Sequence, residues 1–228
     1  MSNNLDFSIQ LDLSSPATVP DVPEAIIENS YSISVCLKCF NKECEPVINA
    51  LREEYQSQFD EDEIEKYLCL INIKLNIFPN FDHIYYTDYD GIENENQFGV
   101  KYRVYLQDFY NSVTRYGRGI SYLHPKLKGG AFAILCIVLF QALNSGYITE
   151  DDNIVLIASG DLGDEREDMT GLIRYYEKLG FQQSHPENEK ENIDDMEVPM
   201  FGRVKNIIKN CSQNKISPEL REILKQMI

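Results

Sequence analysis

The sequence predicts a mixed α/β fold, a mostly antiparallel sheet flanked by helices. Three observations lead there. Apolar residues at 43% and charged residues at 25% give the balance of a globular chain, and 228 residues suit one large domain with extensions. Segments of period two and segments of helical spacing follow one another along the chain. In the first half strand signals come in succession, which favours antiparallel pairing. In the second half helices separate them, which favours crossovers.

Each element has its own signal. Residues 1–30 read as an extended N-terminal arm, because Pro16, Pro20 and Pro23 are spaced through small residues. The domain proper is expected over residues 31–206, and a C-terminal helical extension over 207–228. Residues 31–40 are the first strand. Val47, Ala50, Leu51 and Tyr55 recur at helical spacing and predict a helix over 46–55. A second helix is expected from Asp62, whose short acidic side chain can cap it. Its face is Ile64, Tyr67, Leu68, Ile71 and Leu75, with Pro79 beyond its end.

The aromatic, β-branched run 83–89 reads as a strand. Asp90-Gly91 marks a turn. Phe98, Val100, Tyr102, Val104 and Leu106 then alternate with more polar neighbours, predicting a half-buried strand antiparallel to the one before. Residues 108–118 read as a connection and 121–123 as a short strand. The segment from Gly129 to Leu143 is apolar nearly all round, as a buried helix is, and Asn144-Ser145-Gly146 ends it. Residues 153–159 form a continuous apolar strand. A helix over 169–179 stops at Gly180. Strands over 181–184 and 198–204 are joined by an acidic loop. Ser217-Pro218 opens a last helix, with serine as cap and proline in the first turn, and with Leu220, Ile223, Leu224 and Met227 on its face. The predicted order is β-α-α-β-β-β-α-β-α-β-β.

Charge narrows the partners. Thirty-seven acids against twenty-one bases leave a net charge of −16. Such a surface repels phosphate backbones and anionic membranes, so neither nucleic acid nor membrane is an expected partner. It attracts cationic partners or amines, although solubility alone also explains it. No apolar run reaches the roughly 18 residues of a membrane span. Residues 1–10 hold no basic cluster or apolar stretch, so a secretory leader is not expected.

Of the six cysteines, Cys36 and Cys39 form a C-x-x-C with Cys44 close behind. Zinc or redox chemistry is one reading of that spacing. The run holding Cys36 and Cys39 reads as a strand, however, and residues three apart on a strand face opposite ways. Free thiols in a reducing compartment are the expectation, with an intracellular, cytoplasmic protein and no metal site.

Two segments carry chemistry. In the first, Gly129 and Gly130 lie between a strand and a helix, where glycine permits close backbone approach and the helix start offers unpaired N–H groups to an anion. Lys126 and Lys128 add positive charge. This suits a phosphate or pyrophosphate, and equally an ordinary turn. In the second, Leu172 to Phe181 reads as an amphipathic helix ended by glycine and leading into a strand.

Together the two segments resemble the GNAT superfamily of N-acetyltransferases. Tyr176-Glu177-Lys178-Leu179-Gly180-Phe181 looks like that family's Y-E-K-L-G-F string, and Leu123 to Ala133 is similar to its V-x-P-x-x-R-G-x-G-x-G segment. The resemblance covers roughly residues 31–206 and implies a splayed sheet. It also implies acetyl-CoA as cosubstrate and an amine acceptor, attacked without a covalent enzyme intermediate. By position it implies that backbone at Leu123 pairs with the pantetheine arm. Lys128, Gly129, Gly130, Ala131, Phe132 and Ala133 then form the pyrophosphate loop, and Tyr176 is the general acid to the departing thiolate.

The chain departs from the family in four places. Lysine replaces arginine or glutamine at 128, alanine replaces glycine at 131 and 133, and methionine stands at 169 where asparagine is common. A register starting at Lys126 restores one glycine but shortens the loop. The general base is left open among His124, Asp161, Asp164 and a water chain. The implied rival is a GNAT-fold binding module with weak or no catalysis.

Overall fold

A computed structural model describes residues 7–14, 30–39, 44–56, 68–78, 85–87, 93–95, 97–111, 129–159, 166–186, 197–213, 216–218 and 220–221. Its strands are β1 (Phe7–Ser14), β2 (Tyr31–Cys39), β3 (Ile71–Ile77), β4 (Tyr85–Thr87), β5 (Glu93–Glu95), β6 (Val104–Asn111), β7 (Asn153–Ser159), β8 (Gln182–Gln183) and β9 (Glu197–Arg203). Its helices are α1 (Glu45–Tyr55), α2 (Gly130–Asn144), α3 (Arg166–Leu179) and α4 (Val204–Gln213). Seven strands make one sheet in the order β1-β2-β3-β6-β7-β9-β8, while β4 and β5 pair separately. Every pair is antiparallel except β6 with β7. The α/β class with a mixed, mostly antiparallel sheet flanked by helices therefore holds.

Strand alternation sorts the two faces. Ile33, Val35 and Leu37 of β2 lie opposite Leu75, Ile73 and Ile71 of β3, and all six are buried in the main core. The four helices complete that core. Val47 and Leu51 of α1 are fully buried, as the helical spacing requires. Helix α2 is buried on most sides, matching its unbroken apolar composition. Met169, Ile173, Tyr176 and Leu179 form the inner stripe of α3, and Val204, Ile207 and Cys211 that of α4. The opposite face carries a smaller cluster of Phe78, Phe98, Tyr102 and Val155. Among the described residues no helix is long and apolar enough to cross a membrane.

Several expectations are corrected. Ile71 and Leu75, expected on a helix, belong to β3. Their four-residue spacing fits either element, but Ile71, Ile73, Leu75 and Ile77 have period two, and β3 pairs on both sides. The strand expected over 98–106 begins only at Val104 and runs to Asn111. Its neighbour is β3, and the expected partner segment instead forms the β4–β5 pair. Helix α4 starts at Val204, ahead of the helical extension expected from residue 207 and inside the last expected strand, and carries Val204, Ile207, Ile208 and Cys211 at helical spacing. Within the segment read as an arm, residues 7–14 pair with β2 along their whole length. The expected helix start at Ser217 is present: its Oγ accepts from the Leu220 N–H at 3.3 Å, and its carbonyl accepts from the Arg221 N–H at 3.0 Å.

The cysteines also differ from expectation. Cys36 is disulfide-bonded to Cys69, with Cα atoms 5.5 Å apart, and Cys44 is disulfide-bonded as well. Among the described residues the free thiols are Cys136 and Cys211. A strand followed by a chain reversal can bring distant cysteines into register, which spacing alone does not reveal. The pairing removes the thiol argument for a reducing compartment.

Candidate functional site

The sheet is closed at one end of its central pair and open at the other. Strands β6 and β7 share two rungs, Val104 with Ile154 and Tyr105 with Val155. Beyond these, residues 106–111 and 156–159 have no rung between them, although β3 and β9 continue to pair on the outer sides. The closed end is stitched together. The Arg103 N–H donates to the Asn153 carbonyl at 3.4 Å, Asn153 Nδ2 donates to the Lys101 carbonyl at 2.7 Å, and Arg103 faces Asp152 at 3.7 Å.

Helix α2 begins at the open end. A Cβ built on Gly130 would stand 2.7 Å from Ile71 Cδ1 and 3.1 Å from Leu220 Cδ1. Ile71 is in turn paired with Asn111, the last residue of β6. Gly129 is the N-cap, with φ of 74° in the left-handed region that favours glycine, and it has no side chain to cap the helix. The first helical bond runs from the Ala133 N–H to the Gly129 carbonyl at 3.0 Å. The amides of Gly130, Ala131 and Phe132 come before that rung and point out of the helix end.

The loop residues thus separate into roles. Gly129 answers a conformational need, and Gly130 makes room for Ile71 and Leu220. Ala131 and Ala133 are buried in the core, so their methyl groups replace glycine without facing the helix end. Phe132 is half-buried and stacks on Tyr175, with centroids 5.3 Å apart. Leu123, Lys128 and Lys126 lie outside the described residues, as do His124, Asp161 and Asp164.

Tyr176 sits where α3 ends, and the local structure accounts for Tyr176, Gly180 and Phe181 of its string. The Gly180 N–H donates to the Glu177 carbonyl at 2.9 Å, and the Phe181 N–H to the Tyr176 carbonyl at 3.2 Å. These two bonds, with Gly180 at φ of 102°, make a Schellman cap. The apolar contact that accompanies such caps is present, since the Tyr176 and Phe181 rings meet edge to face at 5.9 Å. Tyr176 also faces Phe109 at 6.0 Å and Tyr175 at 5.6 Å. Phe109 lies on the stretch of β6 that has no rung with β7. An aromatic cluster from β6, α2 and α3 therefore borders the open end, with Tyr176 8% exposed. Burial pushes the Tyr176 phenol up to about 12, so it keeps its proton at neutral pH. Tyr175 is pushed up too, first by burial and then by the neighbouring Tyr176 and Cys211.

Asp108 was not singled out in the sequence. It lies on β6 opposite Lys74, and burial raises its carboxyl pKa while the Lys74 charge opposes the rise. The register shifts between Lys74 and Leu75, leaving Gln107 as the extra residue on β6. That bulge reverses the alternation after Leu106, which is why residues from 108 onward read as a connection.

No family model matches this chain, no curated protein matches it in sequence, and no solved structure matches its fold.

Proposed function

We propose that this chain is an N-acetyltransferase of GNAT type that moves acetyl from acetyl-CoA to a primary amine. The observation that carries the reading is the parallel β6–β7 pair, which loses its ladder after two rungs beside the uncapped start of α2. Acetyl-CoA would supply an activated thioester. The amides of Gly130, Ala131 and Phe132 suit its pyrophosphate, aided by the helix dipole. The β7-facing side of residues 106–111, which has no rung with β7, suits an extended amide-bearing arm. Tyr176 holds a proton that a departing thiolate requires, and the amine attacks the thioester carbon without a covalent enzyme intermediate. The amine's proton would leave to solvent, since Asp108 adjoins Phe109 and strand alternation turns it away from Tyr176.

A second reading has its own support. Ile71 and Leu220 fill the space beside Gly130, and capping alone accounts for Tyr176, Gly180 and Phe181. Both favour a GNAT-fold binding module with weak or no catalysis. Calorimetric titration with acetyl-CoA and CoA separates the two. Micromolar binding of both is the expected result, and no binding at millimolar ligand would end the transferase reading.

A further inference from the structure

Aromatic rings enclose the Tyr176 ring. Tyr175 meets it at 5.6 Å between centroids, Phe181 at 5.9 Å and Phe109 at 6.0 Å. Phe109 also meets Tyr175 at 5.9 Å, and Phe132 stacks on Tyr175 at 5.3 Å. These are the separations of rings in contact. A carbon chain lying between any two of them would have to push them apart, which a close-packed cluster resists.

Phe109 differs from its neighbours in position. Tyr175 and Phe181 come from α3 and the residue after its cap, whereas Phe109 comes from β6. It lies on the stretch of β6 that has no rung with β7. It pairs with Ile73, whose side chain is in the main core, so its ring is on the face that Tyr176 occupies. Ile73 is fully buried, but Phe109 is only half-buried, so part of its ring is open to a ligand.

A phenol that protonates a departing thiolate stands within hydrogen-bond reach of the sulfur. The acyl carbon is bonded to that sulfur, so a ring touching Tyr176 from the strand that the arm follows borders the acyl group too. We infer, resting on the acetyl-transfer reading, that Phe109 sets the length of the acyl group: its ring closes the space beyond the acetyl methyl and excludes longer acyl chains. The selection acts when the donor binds, before any bond changes.

The test is calorimetric titration of the full chain with CoA, acetyl-CoA and hexanoyl-CoA. The unaltered chain should bind hexanoyl-CoA at least about tenfold more weakly than acetyl-CoA, the scale on which an apolar pocket rejects added methylene groups. In Phe109→Ala that ratio should shift by about tenfold toward hexanoyl-CoA. Phe109→Leu, which keeps an apolar side chain in the cluster, should shift it the same way by a smaller factor. Both variants should keep the native circular dichroism spectrum, and CoA, which has no acyl group, should bind them as it binds the unaltered chain. Equal affinity of the unaltered chain for the two acyl donors would overturn the inference and leave acetyl transfer standing. So would a ratio that neither variant moves, or a loss of CoA affinity as large as the change for the acyl donors. No binding of CoA or acetyl-CoA to the unaltered chain at millimolar concentration would remove acetyl transfer itself, and the inference with it.

Discussion

The start of α2 and the end of α3 are both marked by glycine, and the contrast between them is instructive. At the end of α3 the resemblance to a known family is intact letter for letter, yet the Schellman bonds and the Tyr176–Phe181 contact account for the letters as helix capping. At the start of α2 the family letters are altered, yet three amides precede the first helical bond beside an interrupted sheet ladder. A matching string can therefore report local architecture, while a poorly matching one can still stand where helix-end amides have no intrahelical partner.

Substitutions can break or sharpen this contrast. The largest expected effect belongs to Tyr176→Phe, which keeps the ring and its contact with Phe181 but removes the proton donor. If the phenol acts on the leaving thiolate, turnover falls about a hundredfold with acetyl-CoA affinity nearly unchanged. An unchanged rate, followed across pH, would leave Tyr176 with the capping role alone. Next comes Gly202→Ala. A Cβ there would stand 2.7 Å from the Gly180 carbonyl oxygen, a backbone atom that cannot swing aside. Chemical denaturation should show a loss of about 2 kcal/mol.

Gly130→Ala should cost less, about 1 kcal/mol, because Ile71 Cδ1 and Leu220 Cδ1 are side-chain ends that can rotate. A loss as large as that of Gly202→Ala would mean that the start of α2 is packed as rigidly as the end of α3.

The smallest effect near neutrality is the pH response. Cys136 on α2 is raised from 9.0 to about 11 by burial, and Tyr176 on α3 from 10.0 to about 12, also by burial. Cys211 is raised from 9.0 to about 12, by burial first and by Cys136 second. In each case the folded chain holds its proton more tightly than the unfolded chain. Their stabilisation is complete below pH 9.0 and is lost as pH rises through these raised values. From neutral pH upward these groups should leave denaturation midpoints flat to that pH and then bring a decline. Cys136→Ala should make the decline shallower without moving its onset, because Cys211 still starts to titrate in the unfolded chain at 9.0, and Tyr176→Phe should soften its alkaline part.

Legibility in the sequence followed periodicity. Strand β7 and helices α1, α2 and α3 were readable because each satisfies one period without ambiguity, as in the unbroken apolar run 154–158. Strand β3 was not, since Ile71 and Leu75 satisfy both periods until pairing on two sides decides. The bulge at Gln107 hid Asp108 and Phe109 by reversing which face each residue takes. At the candidate site Gly129 and Tyr176 could be found by type and position. The sheet opening could not, because it is a missing ladder between strands separated by a whole helix. Helix α4 is different: a helical extension was expected from 207, but its first turn was missed because Val204 was taken as the end of a strand.

The bond between Cys36 and Cys69 spans 33 residues and encloses α1. A protease that cuts once anywhere inside that span would produce two peptides still tied together. On a denaturing gel without reductant the nicked chain would keep its full mass, and only a thiol such as dithiothreitol would release the fragments. Limited proteolysis of this protein must therefore be read in paired lanes, since a single unreduced lane would conceal the cut.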